Sequence, residues 1–243
     1  MKRYILFIGL LLTFSNLTAQ KKVTKNIKSN NVENTFVHLK FAQNIIIKNW
    51  NKNEVLVEAS VNLNDNTENE KFSLESTTNS NTLEIKSDYG DFFKKHKNNV
   101  TITHKKNDCN SYNYCSKHNS AIIDYVIYVP NKMNLKIKSI SGNVEANDFK
   151  GSLNLDLISG NITVKKHSKE MKLKTISGDI DIFVADATFE AKTLTGGVYS
   201  DLDIDFNKNK KKQFGTKIVA TIKNGSAYLK LNTISGDIFL RKI

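Results

Sequence analysis

Proline, cysteine and arginine are nearly absent from this chain of 243 residues. It has one proline and two cysteines, and its only arginines are Arg3 and Arg241. A single proline among many valine, isoleucine and threonine residues favours strands over loops or disorder. Because lysine is almost the sole basic residue, the chain lacks the bidentate guanidinium groups that recognise phosphates and base edges. We therefore expect no nucleic-acid partner, although the net charge is +12.

Long apolar runs are also missing, except at the N-terminus. Lys2 and Arg3 precede apolar residues 4–14, and polar residues and Ala19 follow. This is the layout of a secretory signal peptide, and the run is shorter than the roughly twenty residues of a transmembrane helix. We expect residues 1–19 to be a signal peptide and the remainder to have no transmembrane segment. The expected location is extracytoplasmic, in the periplasm or secreted to the cell surface.

One ten-residue motif, in contrast, occurs five times as near-copies. KTISGDIDIF at residues 174–183 has near-copies on both sides, and each copy contains a glycine that we expect to form a structural turn. These glycines are Gly142, Gly160, Gly178, Gly196 and Gly236. The first four are eighteen residues apart, and the last gap is forty, which is one period plus a 22-residue insertion. A fixed period near twenty residues is typical of a solenoid.

Alignment on these glycines produces five columns of mostly apolar residues, separated by polar positions. Four columns begin at Leu135, Ile137, Val144 and Ala146. The remaining column consists of Ile140, Ile158, Ile176, Leu194 and Ile234. Alternation of this kind indicates strands with one buried face. We predict an all-β fold, a single-stranded parallel β-helix with 18-residue rungs in the C-terminal half, in which all five columns point inward.

The N-terminal half contains short alternating runs that are less regular. They predict further strands, either as earlier rungs of the same β-helix or as a small antiparallel cap. No linker-like stretch divides the halves. We therefore predict one β-helical domain over residues 20–243, with irregular rungs in 20–130 and regular repeats in 131–243.

The residues that follow the turn glycines form a further column. In four of the five copies this residue is Asn or Asp, whose side chain carries an oxygen. The column consists of Asn143, Asn161, Asp179, Gly197 and Asp237. Carboxylates that recur along a solenoid can bind calcium, whereas turn side chains more often bond nearby backbone. In sequence order Asp179 stands between Asn161 and Gly197, without a second carboxylate beside it. We favour the turn interpretation and expect no cofactor.

Residues 125–146, YVIYVPNKMNLKIKSISGNVEA, followed by repeated ISGDI, resemble the bacterial putative-adhesin domain family, relatives of the head domains of auto-transporter adhesins. The family pattern is a strand ending in proline, a short turn and serial Ser-Gly-Asp/Asn strands. The match covers residues 125–243 well and the N-terminal half only in general character. The resemblance implies an exported β-helical domain without established enzymatic activity, and it supplies no binding residues.

The two cysteines, Cys109 and Cys115, lie in a polar stretch between predicted strands. Outside the cytoplasm, two neighbouring cysteines usually form a disulfide. His104 and His118 bracket them, so a four-ligand zinc site is the alternative. We favour the disulfide because zinc would need reduced thiolates in an oxidising compartment.

Three further groups are weak candidates for binding, each with a simpler structural explanation. Asp201, Asp203 and Asp205 share one strand face and could hold calcium, or form a solvated face. Lysines in residues 207–213 could contact acidic glycans, or form an exposed loop tip. Tyr112 and Tyr114, beside His118, could stack on sugars or pack against the body. The lysines of the second group are Lys208, Lys210, Lys211 and Lys212.

No nucleophile elbow, phosphate loop or His-Glu-x-x-His motif is present, so we assign no catalytic residue. The expected function is that of a non-catalytic cell-envelope protein whose β-helical surface serves binding or scaffolding, for example adhesion to an acidic glycan or another envelope component. A polysaccharide lyase or hydrolase is the alternative, because β-helices host such enzymes. We expect binding where the repeat is interrupted, at residues 88–119 and 202–222.

Overall fold

The structure, a computed structural model, describes residues 20–94, 120–167, 170–202 and 215–243. These residues form eighteen strands and one short 3-10 turn at Asn69–Lys71. None of them forms a helix that is long and apolar enough to cross a membrane. The strands are β1 Lys21–Lys28, β2 Asn34–Leu39, β3 Asn44–Trp50, β4 Glu54–Leu63, β5 Ser73–Asn79, β6 Thr82–Asp88, β7 Ala121–Pro130, β8 Asn134–Ser139, β9 Asn143–Ala146, β10 Leu153–Leu157, β11 Ile162–Val164, β12 Met171–Lys174, β13 Ile180–Val184, β14 Ala187–Thr193, β15 Val198–Ser200, β16 Thr216–Ile222, β17 Tyr228–Asn232 and β18 Ile238–Lys242.

The strands form two nine-stranded sheets, and in the repeat the chain alternates between them. Sheet 1 has the order β1-β4-β7-β3-β9-β11-β13-β18-β15, and sheet 2 has the order β16-β14-β17-β12-β10-β8-β2-β6-β5. Most neighbouring strands are parallel, and the antiparallel pairs are β1–β4, β4–β7, β5–β6 and β14–β16. The all-β prediction is confirmed, and the mostly parallel sheets fit a solenoid.

The N-terminal strands combine both arrangements considered from the sequence. β2 and β3 pair in parallel with β8 and β9, and β6 and β7 pair in parallel with β2 and β3. Beyond them, β5 in sheet 2 and β4 and β1 in sheet 1 are antiparallel. Parallel strands therefore continue past the repeat, and antiparallel strands close this end of the molecule.

One continuous apolar core fills the space between the sheets. In the repeat, Leu153 pairs with Leu135 on one side and with Met171 on the other. Four of the predicted columns, those beginning at Leu135, Ile137, Val144 and Ala146, are buried along their length. Only their members in the short strand β15, Val198 and Ser200, are half-buried.

The remaining column was assigned wrongly from the sequence, because its five side chains face solvent. Their exposed fractions are 40% for Ile140, 51% for Ile158, 38% for Ile176, 46% for Leu194 and 43% for Ile234. The inward position at each corner belongs to the preceding residue. Thr175, for example, is fully buried, and its hydroxyl donates to the carbonyl oxygen of Gly160 at 3.1 Å. Since strand residues alternate, the aliphatic residue that follows points outward.

The order of the last two rungs also differs from their order in the sequence. β17 lies between β12 and β14 in sheet 2, and β18 lies between β13 and β15 in sheet 1. The C-terminal rung, which is β17 and β18, therefore separates two rungs that precede it in the chain. Parallel pairing permits this because a strand needs a partner of matching register, whatever its position in the sequence.

The turns between the two sheets stack closely, with backbone against backbone. Gly160 has a φ of 130°, and a Cβ at this position would lie 2.1 Å from the carbonyl oxygen of Gly142. Gly196 has the same relation to Gly236, with a distance of 1.9 Å from such a Cβ to the carbonyl oxygen. No side chain fits in this space, so each turn requires glycine.

The column after the turn glycines is a ladder of hydrogen bonds between rungs. The Oδ1 atom of Asn143 accepts the N–H of Asn161, and that of Asn161 accepts the N–H of Asp179. The carboxylate of Asp179 then accepts the N–H of Asp237, whose carboxylate accepts the N–H of Gly197. The neighbours of Asp179 are therefore Asn161 and Asp237, and the expectation that no carboxylate adjoins it was wrong. Because these side-chain oxygens bond backbone N–H groups, they agree with the turn interpretation of this column.

Candidate functional site

Sheet 2 presents lysines on its outer face, opposite the core. The outward positions of β8, β12, β14 and β17 alternate with buried residues. We call this set of lysines the lysine face. It consists of Lys136, Lys138, Lys172, Lys174, Lys192 and Lys230.

Strand register arranges the lysine face in two rows that run across the strands. In one row Lys136, Lys172 and Lys230 stand on neighbouring or next-neighbouring strands. In the other, Lys138 and Lys174 flank Asp156, and Lys192 lies two strands beyond Lys174. Adjacent strands are about 4.8 Å apart. The rows therefore offer cationic groups at short, regular intervals along the solenoid axis.

Acidic neighbours neutralise only part of this charge. Lys174 pairs with Asp156 at 3.2 Å, and Lys172 pairs with Glu170 at 3.4 Å. Within the described ranges, Lys138, Lys192 and Lys230 form no ion pair. Exposed ion pairs of this kind contribute little to stability, so the lysines of the face are available to an anionic partner.

A cleft of about 410 Å³ adjoins the lysine face where β2, β8 and β10 begin. Phe36 forms its apolar part, and the Nζ of Lys136 lies 5.2 Å from the centre of the Phe36 ring. Asn34, Asn134 and Asn154 line the cleft, and the amide of Asn134 donates to Asn34 at 3.0 Å. An aromatic ring beside amide groups suits sugar recognition, because the ring packs against a pyranose while amides bond its hydroxyls.

The outer face of sheet 1 carries charges of both signs, since Lys22, Lys28, Lys48 and Arg241 stand beside its carboxylates. The single Nε–H of Arg241 donates to both carboxylate oxygens of Asp181, at 2.7 and 2.8 Å. This hydrogen bond, together with the charges of Asp181 and Asp201, raises the pKa of Arg241. The outward carboxylates of its strands are Glu54, Glu58, Asp124, Glu145 and Asp181. Sheet 2 has more lysines on its outer face than sheet 1, so it is the face that better suits an anion.

Most of the site residues predicted from the sequence lie outside the described ranges. Asp201 is described, and it is an exposed residue at the end of β15. Where the structure describes the chain, no cluster of His, Cys, Asp or Glu could hold a metal ion. The disulfide stays a prediction. The residues outside the described ranges are Cys109, Cys115, Tyr112, Tyr114, His118, Asp203, Asp205, Lys208, Lys210, Lys211 and Lys212.

Sequence reasoning did not select the lysine face, although its signal was present. Lysine recurs at the polar positions of the repeat, for example at Lys136, Lys172 and Lys230. Those positions were treated as the solvated side of the strands, and binding was expected only where the repeat is interrupted. Strand register is what aligns the lysines into rows, and register is visible only in the structure.

Comparisons with known proteins agree with this architecture. Residues 129–241 match the model of the family described as Toastrack DUF4097. The match confirms the resemblance inferred from the repeated Ser-Gly-Asp/Asn strands. No curated protein matches the chain significantly.

Solved structures of adhesin-like proteins are similar to this chain. A crystal structure described as a "putative cell adhesion protein" from Clostridium sporogenes has a TM-score of 0.55 and 16% identity, covering 92% of this chain and all of its own. A "putative adhesin" from Bacteroides fragilis has a TM-score of 0.33 and 13% identity over 93% of this chain and 99% of its own. The first of these structures shows a shared fold.

Proposed function

We propose that this protein is a non-catalytic component of the cell envelope that binds an acidic glycan through the lysine face. The observation that carries the proposal is the pair of lysine rows beside the Phe36 cleft. A linear polyanion could contact several lysines at once, and such multivalent contact strengthens binding without any single deep pocket. Export through residues 1–19 and a location outside the cytoplasm are parts of the proposal.

The repeated architecture supports a ligand that is itself repetitive. We infer an 18-residue rung for the segment 131–184, since Leu135, Leu153 and Met171 are successive partners at that separation. Equivalent outward positions then recur once per rung, at intervals of about 4.8 Å. The cell-adhesion description of the Clostridium protein also supports a role in binding.

The test is a triple variant, Lys136→Gln, Lys172→Gln and Lys230→Gln, assayed with alginate as a soluble polyuronate. We expect roughly tenfold weaker binding, because three screened attractions are lost. The matched control is Lys22→Gln, Lys28→Gln and Lys48→Gln, which removes the same charge from the outer face of sheet 1. Equal losses in both variants would reduce the effect to net charge and overturn the proposed face.

Two further measurements complete this test. Phe36→Ala is expected to weaken binding a few-fold, by removing the apolar wall of the cleft. Chain length of the alginate after incubation distinguishes binding from turnover. Shortened alginate would contradict the non-catalytic part of the proposal and favour a lyase or hydrolase.

A further inference from the structure

Five exposed aliphatic side chains form a straight line along one edge of the solenoid. Backbone hydrogen bonds join the rungs at this level: Ser159 N–H donates to the carbonyl of Ile140, and Ser177 N–H donates to that of Ile158. We call the line the aliphatic ladder. In spatial order it consists of Ile140, Ile158, Ile176, Ile234 and Leu194. At about 4.8 Å per strand it extends roughly 19 Å.

The aliphatic ladder is not part of the buried core, although every member is apolar. Each side chain lies just before the turn, where the chain passes from sheet 2 to sheet 1, so the line forms a convex edge. Its members are exposed by 38% to 51%. Single exposed apolar residues are ordinary on protein surfaces, whereas contiguous apolar patches bordered by polar residues mark interaction sites.

The adjoining row of sheet 2 contains Lys138, Lys174 and Lys192, with Asp156 and Asn232 between them. Ile140 is two residues after Lys138, Ile176 is two residues after Lys174, and Leu194 is two residues after Lys192. Because strand residues alternate, the members of each pair project to the same side. Lys40 precedes the ladder, since its carbonyl accepts the N–H of Ile140. An aliphatic strip with cations along one side matches the boundary between acyl chains and anionic headgroups.

We propose that the aliphatic ladder docks this protein on an anionic lipid surface. The five side chains enter the boundary of the acyl region, and the flanking lysines contact headgroup phosphates. Each lysine near such a surface contributes attraction, and long lysine side chains reach headgroups while their stems stay on apolar surface. This site goes beyond the glycan proposal because its five aliphatic side chains are unassigned there, although it shares Lys138, Lys174 and Lys192 with the lysine face.

The size of the ladder favours a membrane over a second copy of the chain. A stable protein–protein interface buries about 800 Å² on each partner. Five half-exposed aliphatic side chains in a single line fall well short of such an area. Membrane binding needs no complementary partner surface, because its strength is the sum of buried apolar area and charge attraction.

The experiment compares the purified protein with the double variant Ile158→Ser and Ile176→Ser on vesicles of phosphatidylcholine, with or without phosphatidylglycerol. We expect the wild type to bind the anionic vesicles and the double variant to bind them at least about tenfold more weakly. The control is Ile122→Ser, which removes an equally exposed isoleucine from the outer face of sheet 1. It is expected to bind as the wild type does.

A fluorescence measurement tests insertion directly. Ile176→Trp is expected to show a blue shift with anionic vesicles that Ile122→Trp does not show, while Trp50 contributes equally to both. Vesicle binding that is unchanged in the double Ile→Ser variant would overturn the proposal, and unchanged alginate binding would then leave the proposed function intact. Dimers that the double variant dissociates, without any vesicle effect, would assign the ladder to self-association and also overturn it.

Discussion

Hydroxyl groups occupy the inner corner in four of the five repeat rungs, and Leu157 occupies it in the remaining one. Thr193 and Thr233 are buried, and their hydroxyls donate to the carbonyls of Gly236 and Gly178 at 2.8 and 3.0 Å. Ser139 donates to the carbonyl of Ser141 in the same way. A buried hydroxyl is tolerated because its hydrogen bond is satisfied. The corner thus accepts a hydrogen-bonded hydroxyl or, once, a leucine, and in each rung the aliphatic residue that follows is placed outside.

The prediction from hydrophobicity alone placed Ile140 and its equivalents inside, which is wrong. Strict alternation along the strand would have placed them outside. After Leu135 and Ile137, a period of two places Ser139 inside and Ile140 outside. The sequence prediction followed the aliphatic residue across the break and so changed the parity. An internal threonine or serine looks polar in sequence, and only the turn carbonyl beside it explains its burial.

The exposed position of Ile176 changes the expected effect of a charge there. We predict that Ile176→Asp lowers the free energy of unfolding by less than about 1 kcal/mol, because its carboxylate stays hydrated. Ile180→Asp, four residues later at a fully buried position, is expected to cost about 4 kcal/mol or more. Thermal or urea unfolding of both variants measures the difference. An unfolded Ile176→Asp protein would show that the aliphatic ladder is part of the core.

His167 makes stability depend on pH. It is buried, its Nε2 accepts the N–H of Ala185 at 3.3 Å, and its Nδ1 has no hydrogen-bond partner in the described ranges. Burial lowers the pKa of His167, with opposition from the charge of Asp186. The unfolded chain therefore binds a proton at higher pH than the folded protein does.

The free energy of unfolding should accordingly fall as the pH decreases below about 6.5, and fall until the folded-state pKa is reached. His167→Gln keeps an acceptor for Ala185 and removes the titrating group, so it is expected to lose this part of the pH dependence. Melting temperatures of both proteins across this pH range provide the test. Identical slopes would exclude His167 as their source.

At the scale of the elements, side-chain oxygens at the turns tie each rung to the next. Each Asn or Asp in the column after the turn glycines, from Asn143 to Asp237, accepts a backbone N–H of the neighbouring rung. Gly197 ends the series and has no side chain to continue it. Only a terminal rung can lack the acceptor at no cost, so this glycine was the sequence signal that the rung of β14 and β15 is last in space.

Asp179 offers a direct measurement of one such bond. Asp179→Ala removes the acceptor for the N–H of Asp237, and we expect it to lower the free energy of unfolding by about 1–2 kcal/mol. Asp179→Asn keeps an acceptor of the same shape, as Asn161 does one rung earlier, and is expected to be close to neutral. Urea unfolding compares the two. Equal losses would assign the effect to the carboxylate charge.

At the scale of the whole molecule, the repeat specified the sheets but not the order of their strands. The eighteen-residue spacing and four apolar columns predicted all-β rungs, and the structure has them. The position of the C-terminal rung could not be predicted from those columns, because every rung offers the same apolar register to its neighbours. Charge on the two outer faces likewise depends on which strands become adjacent.

The internal position of the C-terminal rung predicts an asymmetric response to truncation. A chain that ends at Lys223 lacks β17 and β18, which leaves β12, β13 and β14 without partners on one side and removes the strand partner of β15. We expect it to lose cooperative thermal unfolding. Removal of residues 20–28 deletes only the edge strand β1 and should leave a folded protein with a lower melting temperature. A cooperative transition in the chain ending at Lys223 would contradict the strand order.

The spatial order of the strands differs from the order in which they are synthesised. The ribosome makes β14 and β15 before it makes the two strands that separate them from β12 and β13. Rungs can therefore stack in sequence order only as far as β13, and the placement of β14 and β15 must wait for β17 and β18. Any product that ends early keeps open strand edges, which favour aggregation and proteolysis. Both sheets are therefore closed only after β17 and β18 have been synthesised.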